Sequence, residues 1–258
     1  LCTRCIIACR DMQTIDCIAK ENRGYDTNIV LPFGQKLVDT PCVNCGQCYQ
    51  VCPTGAITIH DDSYKIYEAM DQGKTVVAQI APSVRINMAE CLGAEPGTIS
   101  TGKIVTAMKR LGFHKVLDAN FAADLTIMEE GTELLHRIQN GGVMPMITSC
   151  CPAWIKFCET YYPEQTDHLS TCKSPQQMFG PLIKTWCADK MGLDPGNIFS
   201  VSIMPCTAKK FEIAREEMNA SGYRDVDCSI TVQGLADMIR AAGIKFEDLE
   251  ETPFDSPT

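Results

Sequence analysis

The chain has 258 residues, of which 45% are hydrophobic and 21% are charged. This balance is typical of a globular protein and argues against a disordered one. The net charge of −9 argues against binding to nucleic acid or to an anionic membrane surface, and no apolar run approaches the ~20 residues of a membrane-spanning helix. The chain contains sixteen cysteines. Their number and spacing favour metal sites in a reduced compartment over a disulfide scaffold.

The first sixty residues contain two closely spaced cysteine runs. The second run, C-x2-C-x2-C-x3-C-P over 42–53, is the full bacterial ferredoxin pattern, in which three thiolates hold one 4Fe–4S cubane and the fourth serves the neighbouring cluster. The expected ligands are Cys9, Cys42, Cys45 and Cys48 for one cluster, and Cys2, Cys5 and Cys52 for the other. The second set lacks one ligand, which the pattern places before Leu1. A zinc site is the alternative, but this is poor zinc-ribbon spacing.

From Ser63 onward, the sequence alternates between patterns typical of strands and of helices. Apolar runs that end at turns predict strands at 75–80, 114–117, 143–147, 198–203 and 227–231. Helical periodicity with terminal glycine or proline signals predicts helices at 83–91, 102–111, 122–139, 152–161, 175–190, 208–218 and 232–242. We therefore predict an α/β fold (α+β overall) with a mostly parallel sheet, preceded by a small ferredoxin-like domain at 1–60. Cys17 falls outside both cysteine patterns and is expected to be structural or loop-borne.

Two of the predicted strands lead into turns that carry cysteines and precede helices. The first turn, TSCCPAW at 148–154, contains the adjacent Cys150 and Cys151, and the second, MPCTAKKFE at 204–212, contains Cys206. The carboxyl ends of strands are where α/β sheets build their sites. Because the side chains of adjacent cysteines diverge, we expect one of the pair to hold a metal centre and the other to act differently. The alternative is that Cys151 and Cys206 are buried free thiols.

These two turns resemble the first two of the three active-site signatures of the catalytic subunit of iron–iron (FeFe) hydrogenase. The resemblance extends to APSVR at 81–85, to residues 118–130 and to KSPQQ at 173–177. It implies that 61–258 is the N-terminal part of an incomplete α/β catalytic domain for the H-cluster, a cubane joined to a two-iron subsite with carbonyl, cyanide and a bridging dithiolate. The third signature is absent, so we expect a fragment that needs a missing C-terminal segment or a partner chain.

The resemblance also assigns roles to single residues. Cys151 and Cys206 would bind the active-site cubane, and Cys150 would donate and accept protons, which a thiol with a pKa near neutrality can do. The Lys209 ammonium would hydrogen-bond an anionic diatomic ligand such as cyanide. The other residues expected to line the pocket are Ala81, Pro82, Ser83, Gln176, Met204 and Pro205. Plain packing is the alternative for Met204 and Pro205.

Three charged residues share one face of the predicted helix at 122–139. Glu130, Glu133 and Arg137 are spaced i, i+3 and i+7, and two carboxylates that lie so close cannot both ionise cheaply if they are buried. One of them is therefore expected to have a raised pKa, which suits a proton relay. The resemblance adds Ser170 and places all four on a path from Cys150 to solvent. The alternative is a solvated face with an ordinary Glu133–Arg137 ion pair.

The resemblance implies reversible interconversion of H2 with two protons and two electrons. Electrons would pass through the 4Fe–4S clusters to or from ferredoxin or a similar carrier, in a cytoplasmic, oxygen-poor compartment, and hydrogenase maturation proteins would supply the two-iron subsite. The fragment alone is expected to be inactive. The alternatives are a hydrogen-sensing homologue and a non-catalytic iron–sulfur assembly protein. Both tend to lack the equivalent of Cys150, so its presence argues against them.

Overall fold

The computed structural model describes residues 2–257, which divide into two compact units. One unit contains residues 2–60 and 151–167, and the other contains 61–150 and 168–257. The helices are α1 (Arg4–Ile7), α2 (Gln47–Gln50), α3 (Ser63–Asp71), α4 (Val84–Cys91), α5 (Thr101–Arg110), α6 (Asn120–Asn140), α7 (Pro152–Tyr161), α8 (Pro175–Leu182), α9 (Ala188–Met191), α10 (Ala208–Ala214) and α11 (Val232–Ala241). The strands are β1 (Ala19–Glu21), β2 (Asn28–Val30), β3 (Thr75–Ile80), β4 (Lys115–Asp118), β5 (Ile198–Met204) and β6 (Cys228–Thr231).

The first unit has a small core that is rich in cysteine. Strands β1 and β2 form an antiparallel pair in which Ala19 faces Val30. The buried residues of the core are Cys9, Ile15, Cys17, Ile18 and Val43. Helix α7 adds Ala153 and Phe157 to this core, and the Tyr161 hydroxyl donates to the carbonyl of Ile15 at 3.1 Å. The predicted domain at 1–60 therefore receives residues 151–167 as part of the same compact unit.

The second unit is built on a four-stranded parallel sheet in the order β4-β3-β5-β6. In its register, Ile80 lies beside both Asp118 and Ile203, and Met204 lies beside Thr231. All four strands therefore end at the same edge. The predicted α/β fold with a mostly parallel sheet is confirmed.

Helices cover both faces of this sheet, as the β-α alternation predicts. Along β3, Val76, Ala78 and Ile80 pack into a core with residues of α4, α5 and α11. The intervening Val77 packs on the opposite face with Phe179 of α8. This alternation follows from the two-residue repeat of a strand, whose side chains point to opposite faces in turn. The unit is thus an α/β/α sandwich.

The predicted strand at 143–147 is wrong. Within this stretch, Ile147 alone pairs, in an isolated parallel bridge with Leu169. Pro145 has no N–H to give to a ladder, and Val143 and Met144 are exposed. The double cysteine therefore follows a short bridge and a loop, and not a full strand.

The predicted helix at 175–190 is interrupted. Helix α8 ends at Leu182, and a π-helical segment, Ile183–Cys187, connects it to α9. Pro181 lies inside α8, and a proline without an N–H disturbs the regular hydrogen-bond ladder of the turn that contains it. No helix in the described residues is long and apolar enough to cross a membrane.

The C-terminal stretch covers the exposed edge of β4. The Asp255 N–H donates to the carbonyl of Val116 at 3.0 Å, and the Val116 N–H donates to the Asp255 carboxylate at 2.6 Å. Farther back, the Thr252 N–H donates to the carbonyl of Gly102 at 3.2 Å. An edge strand covered in this way does not offer its free backbone groups to another chain.

Two helical glycines allow a matched test of the packing of α8. A Cβ atom at Gly180 would lie 2.8 Å from the carbonyl oxygen of Asp225, whereas one at Gly131 in α6 would meet nothing within 4 Å. We expect Gly180→Ala to lower the free energy of unfolding by ~1–3 kcal/mol because of this overlap. Gly131→Ala should raise it by ~0.5–1 kcal/mol because alanine favours a helix. Urea unfolding of both variants checks this, and equal effects would contradict the packing described.

Candidate metal and catalytic site

The two turns after β3 and β5 meet at the carboxyl edge of the sheet. The Ala81 N–H donates to the carbonyl of Ile203 at 3.1 Å, which ties the start of the first turn to the end of β5. Ala81 and Met204 are buried here, while Pro82 and Pro205 are exposed. Ser83 stands directly before α4, and Cys206, which is partly exposed, stands just before α10. The predicted lining residues of these two turns are therefore neighbours in the fold.

The carboxylate of Glu212 lies at the centre of a hydrogen-bond network beside this edge. Glu212 is 4% exposed. Its Oε2 accepts from Lys209 Nζ at 2.9 Å, from Gln176 Nε2 at 2.8 Å and from the Ser174 hydroxyl at 2.9 Å. Lys209 Nζ also donates to the backbone carbonyl of Cys150 at 2.8 Å. The network thus connects three residues predicted to belong to one pocket.

Local structure explains why these side chains converge. Helix α10 begins two residues after Cys206, so Lys209 and Glu212 fall at i and i+3 on one face. Ser174 is the N-cap of α8 and also accepts from the Gln177 N–H at 3.4 Å. Sequence reasoning missed Ser174, although a serine followed by proline is a recognisable helix start.

Gln176 has the property expected of a residue that contacts a bound group. Its Oε1 is buried and has no hydrogen-bond partner among the described residues, and such an atom calls for a ligand or water. The fixed ammonium of Lys209 stands in the same network and suits an anionic ligand. These two residues are therefore suited to contact a bound anionic group.

A second cluster surrounds the carboxylate of Glu133 on α6. Its Oε1 accepts from Arg137 Nη2 at 2.7 Å and Nε at 3.0 Å, and its Oε2 accepts from the Ser170 hydroxyl at 2.8 Å. The Thr171 N–H adds a further bond at 3.0 Å. The Glu133 and Arg137 side chains are only 15% and 12% exposed. The Glu133–Arg137 ion pair of the alternative is thus present, and its two side chains are partly buried.

The two carboxylates of this helix face differ in their surroundings. Burial alone would raise the pKa of Glu133, but the hydrogen bonds from Ser170, Arg137 and Thr171 outweigh burial and hold that pKa below its usual range. Glu133 therefore does not carry the raised pKa expected of one of the two. The Oε1 atom of Glu130 is buried and has no hydrogen-bond partner in the described part of the chain.

Backbone contacts connect the Glu133 cluster with the loop of the double cysteine. The Cys172 N–H donates to the Ser170 hydroxyl at 3.1 Å, and the Ser149 hydroxyl donates to the carbonyl of Cys172. Ser149 immediately precedes Cys150, which is exposed. No motif pointed to Ser149 or Cys172, because the contact between the Ser149 hydroxyl and the Cys172 carbonyl forms only in the fold.

In the first unit, backbone N–H groups surround the cysteines of the ferredoxin run. Asn44 and Gly46 have positive φ angles of 57° and 77°, and a backbone of this kind turns successive N–H groups towards a common centre, as at many iron–sulfur sites. The Asn44 N–H donates to Cys42 Sγ at 3.4 Å. The N–H groups of Ile57 and Thr54 donate to Cys52 and lower its pKa to about 7. This environment stabilises thiolates and fits 4Fe–4S ligation.

Cys17 is the unforeseen member of this group. Its Sγ lies 3.6 Å from Cys9 Sγ. The neighbouring Cys17 thiol lowers the pKa of Cys42 to about 6, and Cys42 in turn raises the pKa of Cys17. Within residues 2–257, no three His, Cys, Asp or Glu side chains are grouped to hold a single metal ion. A cubane takes one cysteine per iron, so its four ligands need not be grouped so closely.

Comparison with known families shows which family the chain belongs to. Residues 74–258 match the family model described as "Iron only hydrogenase large subunit, C-terminal domain". The chain belongs to this iron-only hydrogenase family. Residues 39–58 match the 4Fe–4S binding domain, so the ferredoxin run lies in an iron–sulfur binding segment of this hydrogenase-family chain. All sixteen cysteines fall within the described residues and are free of disulfides.

Several hydrogenases are similar to this chain. The chain is 45% identical to the NADP-reducing hydrogenase subunit HndD of Solidesulfovibrio fructosivorans, over 100% of its own length and 45% of the relative. It is 44% identical to iron hydrogenase 1 of Clostridium pasteurianum, over 99% of its length and 45% of the relative. It is also 31% identical to cytosolic iron-sulfur assembly component 3 of Bos taurus, over 83% of its length and 48% of the relative. The chain thus spans about half the length of these relatives.

Solved structures agree with this assignment. The structure of the FeFe hydrogenase HydA(deltaEFG), whose title describes stepwise H-cluster assembly, matches with a TM-score of 0.71 and 39% identity, over 74% of this chain and 50% of that one. A variant of apo FeFe hydrogenase HydA1 from Chlamydomonas reinhardtii matches with a TM-score of 0.69 and 38% identity, over 74% of this chain and 51% of that one. The hydrogenase-family fold is therefore shared.

The lowered pKa of Glu133 predicts how its contribution to stability depends on pH. Glu133→Gln should lower the free energy of unfolding at pH 7 by roughly 1–3 kcal/mol, because the ionised carboxylate loses charge-assisted hydrogen bonds. A carboxyl whose folded pKa is depressed stabilises the fold above its unfolded pKa of about 4.3, and this stabilisation is lost as the pH falls through the lower folded pKa. The loss of unfolding free energy in Glu133→Gln should therefore stay constant from pH 7 to about 5 and become smaller below about pH 4.

The matched control is Glu129→Gln, at an exposed position of the same helix. Urea unfolding across this pH range measures both variants. A Glu133→Gln deficit that does not change with pH, or one equal to that of Glu129→Gln, would show that the ionised carboxylate is not what the surrounding donors stabilise.

Proposed function

We propose that this chain is the part of an FeFe hydrogenase that carries the iron–sulfur clusters of the electron path and one portion of the H-cluster pocket. The complete protein interconverts H2 with two protons and two electrons. The observation that supports this most is the network of Lys209, Gln176 and the Cys150 carbonyl around Glu212. Those three residues were predicted from separate stretches of sequence to serve one pocket.

In this proposal, the chain's cysteines hold the metal centres. Cys151 and Cys206 hold the active-site cubane, and the two cysteine runs near the N-terminus hold the other two cubanes. When bound, the two-iron subsite with its carbonyl, cyanide and dithiolate ligands supplies the site of hydrogen chemistry. Lys209 and Gln176 orient its ligands, while Ala81, Pro82, Ser83, Met204 and Pro205 line the pocket. Hydrogenase maturation proteins deliver the subsite.

The polar side chains of the second unit provide the proton path. Cys150 exchanges a proton at the active site. Glu130, whose buried Oε1 has no hydrogen-bond partner among the described residues, and Ser170 carry it onward to Glu133. Glu133 is held in place by Arg137, so its carboxylate keeps a fixed position at the outer part of the path. The 4Fe–4S clusters exchange electrons with ferredoxin or a similar carrier in an oxygen-poor cytoplasm.

A second candidate function is iron–sulfur cluster assembly without hydrogen chemistry, which the similarity to cytosolic iron-sulfur assembly component 3 favours. A hydrogen-sensing homologue is related to the first proposal but would turn over poorly. Cys150 discriminates between these functions, because it supplies a titratable proton donor that neither an assembly protein nor a sensor requires.

The test uses the complete, matured protein and the variant Cys150→Ser. A thiol can reach a pKa near neutrality in a favourable field, whereas an aliphatic hydroxyl cannot. We therefore expect the infrared bands of the carbonyl and cyanide ligands to persist while hydrogen evolution falls by roughly 10²–10⁴-fold, the usual contribution of a positioned acid or base. Cys150→Asp should recover part of the rate.

The matched control is Cys172→Ser, because Cys172 uses its backbone groups in the structure. Its hydrogen evolution should stay close to that of the unmodified protein. Normal turnover in Cys150→Ser would remove Cys150 from the mechanism. A complete protein that showed neither infrared bands nor hydrogen evolution would favour the assembly function.

A further inference from the structure

Cys17 lies in contact with Cys9, a proposed ligand of an electron-path cluster, without belonging to either cysteine run. It is 1% exposed. Its Sγ is 3.6 Å from Cys9 Sγ, and its backbone N–H donates to Cys9 Sγ at 3.4 Å. One residue thus directs both its thiol and its backbone N–H towards the sulfur of an assigned cubane ligand.

The surroundings of Cys17 suit a hydrogen-bond donor. Its neighbours in the buried core are Ile15, Ile18 and Val43, and its side chain has one S–H to donate. The backbone N–H is a second donor whose position is set by the fold and not by the side chain. Two donors from one residue therefore face the Cys9 sulfur.

We propose that Cys17 is a positioning residue that donates hydrogen bonds to the sulfur ligand Cys9 and thereby raises the reduction potential of its 4Fe–4S cluster. The inference rests on the ligand set of the proposed function. Reduction adds negative charge to the cluster, and donors aimed at its sulfurs stabilise the reduced form more than the oxidised one. In this position, Cys17 sets how readily the cluster accepts an electron.

The test is an anaerobic redox titration of the complete protein, monitored by electron paramagnetic resonance, together with iron counting. Cys17→Ala removes the S–H donor and keeps the backbone N–H, so the midpoint potential of one cluster should shift to a more negative value with the iron content unchanged. Cys17→Ser restores a donor at the same position and should return much of the shift. A purely structural role would not produce this recovery.

The matched control is Cys158→Ala. Cys158 is also fully buried in the first unit, but its thiol donates to the carbonyl of Tyr162 at 3.6 Å, so its removal should leave every cluster potential unchanged. A Cys17→Ala protein with unshifted potentials would overturn the inference and make Cys17 a packing residue. Loss of a cluster's iron from Cys17→Ala would also overturn it, because Cys17 would then be a ligand.

The variant Cys42→Ala separates this inference from the proposed function beneath it. If Cys42 is a ligand, Cys42→Ala should lose iron from one cluster while the others keep theirs. A Cys42→Ala protein with full iron content would show that the ligand assignment itself is wrong, whatever the outcome for Cys17.

Discussion

The buried carboxylate of Glu212 is the constraint on which the candidate pocket depends. A charge that is only 4% exposed is costly unless hydrogen bonds and an opposite charge compensate it. Here a single oxygen accepts from Lys209, Gln176 and Ser174. Because all three donors bond to this one oxygen, their positions are fixed relative to one another. Because Lys209 also binds the carbonyl of Cys150, the loop before the double cysteine is tied to the turn after β5.

Buried polar side chains continue from this network into the middle of the sheet. Gln79 of β3 donates from Nε2 to the carbonyl of Gln176 at 3.1 Å. Its register partner on β5 is Ser202, which in turn lies beside Ser229 on β6. All three side chains are buried. Burying polar side chains in the middle of a parallel sheet costs free energy. Here the three residues lie side by side on neighbouring strands, at positions where apolar side chains would be enough for packing.

Sequence periodicity was sufficient for most of the second unit. The strands β3, β4, β5 and β6 and the long helix α6 fall at the predicted positions within one or two residues, because apolar runs and glycine ends mark them clearly. The strand predicted at 143–147 is wrong because the prediction relied on apolar composition and did not allow for Pro145, which has no N–H for a strand ladder. Residues 175–190 are helical throughout as predicted, but Ile183–Cys187, which follows Pro181, is π-helical instead of α-helical.

The candidate site was predictable in part. Lys209, Gln176, Glu133 and Ser170 were identified from motifs, and the structure connects them as two networks. Glu212, Ser174, Thr171 and Cys172 were not assigned because their roles arise from chain segments that meet only in the fold. Cys17 was dismissed for the same reason: a spacing pattern identifies ligands along the chain, but it cannot show a thiol that packs against them from another segment.

A double-mutant cycle on Lys209 and Glu212 tests the central claim most directly, because it measures their interaction without any metal centre. The free energy of unfolding is determined by urea titration for the unmodified chain, Lys209→Met, Glu212→Gln and the double variant. The account predicts a coupling energy of about 1–3 kcal/mol, with the double variant less destabilised than the sum of the two single variants, because each single variant leaves a buried charge unpaired. Additive effects would contradict the claim that this buried pair organises the pocket.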